Sequence, residues 1–135
     1  MAAKEPANPL EKRELLQADK PNPAKIDAVA AALGAAGHWA EAVDYLEISK
    51  NADLLARAEA DAVARGVAWL LSQVDRIRGK ASPPETWVRL SDSALAAERF
   101  VDAVRALGIA GREADAEALR QAKCPDYDPF KPLGK

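Results

Sequence analysis

The chain has 135 residues, with 19 Lys and Arg against 21 Asp and Glu and a formal net charge of −2. This length supports one domain built around one core. The nearly balanced charge argues against nucleic acid or an acidic membrane surface as a partner, because neither would be attracted at long range.

The cysteine count and the N-terminal residues indicate the cellular compartment of the protein. The single cysteine, Cys124, cannot form an internal disulfide, and residues 1–9 contain no apolar leader. The longest apolar stretch, residues 28–37, is much shorter than the ~20 residues that cross a bilayer. We therefore expect a soluble, cytoplasmic protein with no membrane partner.

The composition predicts an all-α fold. Alanine is abundant while β-branched and aromatic residues are sparse, and the aromatic share is 5%. Summed over long windows, this composition favours helix over strand. No segment shows the clean alternation of apolar and polar residues that is typical of a half-buried strand.

The sequence predicts a loose arm over residues 1–9. A helical-repeat domain follows over residues 10–123, and its first element is a short helix. A longer helix begins at Pro23, because Asn22 can cap its free N–H groups and proline suits the first helical position. Gly37 ends this helix, since glycine readily adopts the left-handed conformation at a helix C-terminus.

A second helix follows almost at once, from about Trp39 to Ser49, with Trp39, Val43 and Leu46 on one apolar face. A turn this short forces two amphipathic helices to fold back against each other, so we predict a helical hairpin. Further helices are predicted over residues 51–66, 67–79 and 113–122, the last with Ala116 and Leu119 inward.

The stretch from Pro84 repeats the stretch from Pro23 at a shift of 84 − 23 = 61 residues. Prolines, aromatic residues and leucines stay in register, and not only the common alanines. The matching pairs are Pro23 with Pro84, Ile26 with Trp87, Trp39 with Phe100, Ala42 with Ala103, Val43 with Val104 and Leu46 with Leu107. A duplicated helical hairpin explains this register, with residues 51–80 as a more diverged pair between the copies.

The second copy resembles a tetratricopeptide repeat, through Trp87, Leu90, Ser91 and Ala94 on its first helix and Ala103, Leu107 and Ala110 on its second. Ser91 and Ala94 replace the usual glycine and tyrosine of that family. The resemblance implies a short right-handed α-superhelix, or α-solenoid, of about three antiparallel hairpins and a C-terminal capping helix.

In that family the first helix of each hairpin lines a groove that binds a partner. The residues implied here are Asp27, Ala31, Ala35, Glu85, Val88, Asp92 and Leu95. This floor is small, apolar and acidic, so a partner segment with apolar anchors and basic flanks would suit it. We therefore expect a non-enzymatic adaptor or scaffold that binds a peptide or protein, and a homo-oligomer is possible.

A small helical ligand carrier or enzyme with a pocket between hairpins is the alternative. His38 is the single histidine and lies in a predicted turn, so a transition-metal site lacks ligands. Cys124 has no base nearby to activate it, and no glycine-rich phosphate loop occurs. The acidic residues have the spacing of solvated helix faces. We expect no cofactor, no metal and no catalytic residue.

Three residues are candidates for contacts outside the groove. Trp69 lies off the apolar stripe of its helix, unlike the other two tryptophans, and could face a partner. Residues 124–135 form a proline-rich tail in which Tyr127 and Phe130 are regularly spaced. This tail either lies back across the last helices of its own chain or docks on another chain.

Overall fold

The computed structural model describes residues 22–127, which form seven α-helices and no β-strand. The helices are α1 (Pro23–Ala35), α2 (Trp39–Ser49), α3 (Ala52–Arg65), α4 (Ala68–Arg78), α5 (Pro84–Ala96), α6 (Phe100–Ile109) and α7 (Glu113–Lys123). The all-α prediction is confirmed for this part of the chain. None of these helices is long and apolar enough to cross a membrane. The predicted arm and the short helix before Pro23 lie outside the described residues.

The chain divides into two compact units, Met1–Ala58 and Glu59–Lys135. The boundary falls inside α3, whose first half belongs to the first unit and whose second half belongs to the second. The division of the sequence into an arm, a single domain over residues 10–123 and a tail stays a prediction.

In the first unit, α1 begins as its sequence predicts. The Asn22 side chain accepts a hydrogen bond from the Lys25 backbone N–H at 3.3 Å, and Pro23 takes the first helical position. The helix packs on α2 and buries Ile26, Ala30 and Leu33. Small side chains such as Ala30 let the two helices approach closely.

Both hairpins reverse the chain with the same hydrogen-bonded turn. After α1, Gly37 has φ 82°, and the His38 N–H donates to the Leu33 carbonyl at 2.8 Å. After α5, Glu98 has φ 59°, and the Arg99 N–H donates to the Ala94 carbonyl at 2.7 Å. This six-to-one bond around a left-handed residue satisfies a carbonyl group at the helix end.

The second hairpin repeats the first at the residue level. Under the shift of 61, the bounds of α1 fall on those of α5, and Trp39 at the start of α2 falls on Phe100 at the start of α6. Ala42 and its counterpart Ala103 are each 0% exposed, and Val43 and Val104 are each 4% exposed. The structure is therefore consistent with a helical repeat, as the sequence register predicts.

The second unit is held together by contacts far apart in the sequence. The Asp102 carboxylate of α6 accepts a hydrogen bond from the Ala68 N–H at 3.1 Å and so caps the start of α4. The Ser91 hydroxyl donates to the Ala103 carbonyl at 3.3 Å, where α5 packs on α6. Helix α7 packs on α6 and buries Ala116, which the sequence places inward, whereas Leu119, also expected inward, is only half-buried.

Glycine is required where a backbone approaches another element. Gly66 ends α3 with φ 73°, and a Cβ built there would overlap the backbone of Ala94 in α5. A Cβ on Gly34 would overlap the indole ring of Trp39. The second hairpin has Leu95 in place of Gly34 and the smaller Phe100 in place of Trp39. The second copy therefore has a different residue at both positions of this contact, a larger one in place of the glycine and a smaller ring in place of the tryptophan.

Replacing Gly34 with alanine will lower the free energy of unfolding by about 1–3 kcal/mol, because the added methyl group overpacks against Trp39. Gly108 is the matched control, since it is also helical and a Cβ there meets no atom within 4 Å. Gly108→Ala will therefore stabilise the protein by up to about 1 kcal/mol through helix propensity. Urea unfolding followed by circular dichroism measures both changes. Equal effects of the two substitutions would contradict the close approach of Trp39.

The left-handed Glu98 generates a second prediction. An L-residue with a Cβ is unfavourable in this conformation by about 1 kcal/mol relative to glycine, so Glu98→Gly will raise the free energy of unfolding by about that amount. Glu98→Ala separates the backbone effect from loss of the carboxylate, because alanine keeps the Cβ. The same denaturation experiment should show stabilisation by glycine alone, and equal gains for both variants would remove the backbone explanation.

Candidate functional site

The residues predicted to line a groove lie on two helices in different units. Asp27, Ala31 and Ala35 lie on α1, and Glu85, Val88, Asp92 and Leu95 lie on α5. Glu85, Asp92, Leu95 and Ala35 are exposed, whereas Asp27, Ala31 and Val88 are half-buried. A groove that combines both sets stays a prediction.

Asp27 is engaged in a contact that supports the fold of the first unit. Its Oδ2 atom accepts a hydrogen bond from Asn51 Nδ2 at 3.1 Å. Asn51 in turn caps α3, because its Oδ1 atom accepts from the Leu54 N–H at 3.1 Å. Asp27 therefore holds the capping side chain in place, which leaves Ala31 and Ala35 as the accessible part of this face.

The four residues on α5 form one stripe along the helix. They are spaced by three, four and three residues, which places them on a common face, and this face differs from the one that packs on α6. The buried face consists of Thr86, Trp87, Leu90, Ser91 and Ala94. Among the described residues, neither Glu85 nor Asp92 has a side-chain hydrogen bond or ion pair, and Leu95 is 37% exposed. The stripe is thus an accessible surface that alternates acidic and apolar side chains.

An open cleft of about 510 Å³ lies elsewhere in the second unit. Its lining combines the end of α4, the following loop, the start of α5 and the end of α6. The lining residues are Ser72, Asp75, Arg76, Gly79, Lys80, Ala81, Ser82, Pro84, Trp87 and Ile109. Asp75 fixes the loop, because its carboxylate accepts hydrogen bonds from the Ser82 N–H at 2.8 Å and from the Ser82 hydroxyl at 2.6 Å.

Sequence reasoning missed this cleft because its walls come from three separate segments. One signal was available, since Ile109 is the register partner of Ile48 under the shift of 61. Both isoleucines are exposed, at 48% and 39%. An exposed isoleucine at the end of each second helix marks a surface that the hairpin itself does not cover.

The three tryptophans differ in burial. Trp39 and Trp87 are buried in their hairpins at 7% and 3% exposure, whereas Trp69 is half-buried. The described end of the chain returns to its own second unit, since Arg105 Nη1 of α6 donates to the Tyr127 hydroxyl at 3.4 Å. Phe130 lies outside the described residues.

Two titratable groups of the described residues have a shifted pKa, Glu117 within α7 and Cys124 directly after it. Hydrogen bonds from Arg120 and Gln121 lower the pKa of Glu117 to about 2, and burial raises the pKa of the Cys124 thiol. Glu117 is exposed and belongs to a helix-surface ion pair, while a raised thiol pKa disfavours the reactive thiolate. No group of three or more His, Cys, Asp or Glu side chains comes together to hold a metal ion within residues 22–127.

Comparison with known proteins adds no relative. No protein-family model matches the chain, and no curated protein or solved structure shows a match to it.

The contrast between Asp27 and Asp92 is open to measurement. Asp27→Ala leaves the Asn51 amide without its acceptor and will lower the free energy of unfolding by about 1–2 kcal/mol. Asp92→Ala is the matched control, because it makes the same substitution in a helix at an exposed position, and it will leave stability within about 0.5 kcal/mol. Chemical denaturation of both variants tests this. If the two aspartates tolerate alanine equally, Asp27 has no such structural role.

Proposed function

We propose that this chain is a tetratricopeptide-like helical repeat protein that acts as a non-enzymatic, cytoplasmic adaptor or scaffold. The repeated hairpin with its shared turn geometry supports this proposal, because stacked hairpins form a superhelix whose first helices face a partner. The surface through which it acts is the α5 stripe defined above.

The single observation that carries the proposal is the composition of that stripe. Glu85 and Asp92 stand seven residues apart, about 10 Å along a helix, and Val88 and Leu95 alternate with them. Carboxylates without partners attract a cationic segment and set its register, and an exposed leucine offers an apolar contact for an anchor. The stripe therefore suits a peptide segment with apolar anchors between basic residues.

The spacing also constrains the partner. Two basic residues must meet carboxylates about 10 Å apart, which corresponds to three residues of extended chain or seven residues of helix. An apolar side chain between or beside them would contact Val88 or Leu95. A segment of this kind binds mainly through its apolar anchor, and its charges determine orientation and selectivity.

A phage-displayed library of random 12-residue peptides tests the proposal directly. The full chain should enrich peptides with two Lys or Arg at these spacings and a large apolar residue, and the double variant Glu85→Lys/Asp92→Lys should lose this enrichment. The matched control Glu41→Lys/Asp126→Lys changes the charge equally at exposed positions outside α5 and should keep it. Asp27 is left unchanged because it supports the fold.

Two results would contradict the proposal. The first is no enrichment above an unrelated helical protein, and the second is the same peptides selected by the α5 double variant. The alternative, a small helical ligand carrier or enzyme, predicts instead that a defined small molecule is released when the purified native protein is denatured.

A further inference from the structure

Part of the lining of the open cleft in the second unit is apolar. Ile109, the last residue of α6, is 48% exposed and is the most exposed of the large apolar side chains in the described chain. The exposed Pro84 and Ala81 and the largely buried Trp87 complete this part of the lining. A surface of this composition gains free energy when an apolar side chain covers it.

The polar part of the lining carries a net positive charge. It contains two cations, Arg76 and Lys80, and one carboxylate, Asp75. Two positive charges against one negative charge leave the lining at +1. Both oxygen atoms of Asp75 already accept hydrogen bonds from Ser82, so this carboxylate serves the loop. The cleft therefore favours an occupant that brings a negative charge.

Lys80 is the cation of the lining that can meet a ligand. The Nε and Nη2 atoms of Arg76 both donate to Gln73 Oε1, at 3.0 and 2.7 Å, so its guanidinium is engaged within α4. Lys80 follows α4 and is exposed, and its ammonium group forms no hydrogen bond or ion pair with another side chain in the described part of the chain. An ammonium group on a flexible stem can turn toward an anion in the cleft.

We propose that this cleft binds an acidic, apolar segment of a partner protein, with an apolar side chain against Ile109 and a carboxylate against Lys80. Charge complementarity identifies this partner, because the positive lining attracts a carboxylate and repels a basic segment. The cleft is open and holds about 510 Å³, so its occupant can extend beyond it, as a segment of a longer chain does. It shares no residue with the α5 stripe, so the inference does not rest on the proposed function.

Nuclear magnetic resonance titration of the isotopically labelled full chain with short peptides tests the proposal. The probes are three acetylated and amidated peptides in which one phenylalanine and one aspartate are separated by zero, one or two glycines. At least one of them should shift the Ile109 δ1 methyl resonance in a saturable way. Asparagine in place of the aspartate should weaken binding about threefold, which is the effect of one exposed ion pair. Alanine in place of the phenylalanine should weaken it about tenfold through loss of the apolar anchor.

Two variants with matched controls locate the binding. Lys80→Gln should weaken it about threefold and Ile109→Ser about tenfold, and the Trp87 indole N–H resonance follows binding where Ile109 is replaced. Lys25→Gln changes an exposed lysine outside the cleft, and Ile48→Ser changes the exposed register partner of Ile109. Both controls should leave the affinity unchanged. All four variants should keep the helical circular dichroism, because the substituted side chains are exposed.

Three results would overturn the proposal. The first is that none of the three aspartate peptides shifts the Ile109 or Trp87 resonance at millimolar concentration. The second is equal affinity for peptides with lysine in place of the aspartate, since the charge of the cleft would then not select the occupant. The third is that phenylpropionate binds as tightly as the best peptide, which would assign the cleft to small organic acids.

Discussion

A left-handed residue two positions before each second helix determines how this chain folds back. At Gly37 and Glu98 the backbone reverses direction within about three residues. The N–H of the next residue then donates a hydrogen bond to a carbonyl group near the end of the first helix. Because the reversal is so short, the two helices lie antiparallel and pack on each other. Small residues allow the two helices to approach closely, and Ala42 and Ala103, in equivalent places, are each fully buried.

The two hairpins differ in side chains at positions that correspond under the shift of 61 residues. The first hairpin has a large ring, Trp39, and glycine at position 34 to receive it, while the second has Phe100 and leaves Leu95 exposed. The first hairpin also uses Asp27 to hold the Asn51 cap, whereas its register partner in the second is the apolar Val88. The second copy thus combines carboxylates with the larger apolar side chains of Val88 and Leu95 on its first helix, and this combination supports a binding face there.

Local signals account for the part of the fold that the sequence predicts. The Asn22 cap, the prolines at positions 23 and 84 and the glycines at 37, 66 and 79 act within one helical turn, so their effects can be read from neighbouring residues. Glu98 shows the limit of this reasoning, because no local rule favours glutamate in a left-handed turn. Only its register with Gly37 indicates the turn at that position.

Contacts between distant residues account for the part that the sequence does not predict. The Asp102 cap on α4 and the Asn51 bond to Asp27 join residues 34 and 24 positions apart, and neither pair has a distinctive local pattern. The cleft depends on the same kind of information, because Ile109 in its walls is distant in the sequence from Asp75 and Ser82, whose hydrogen bonds fix its loop. For the candidate site, the spacing of the α5 residues places them on one helix face, but the sequence does not show that Asp27 serves the fold.

The central claim is that the two stretches starting at Pro23 and Pro84 are copies of one back-folded helix pair. Triple-resonance nuclear magnetic resonance of the full chain tests it most directly. The account predicts helical carbon shifts that stop before residues 37 and 98, positive φ at both residues, and cross-peaks from Gly34 to the Trp39 indole and from Ser91 to Ala103. Helical shifts that continue through either turn, or the absence of both sets of cross-peaks, would contradict it.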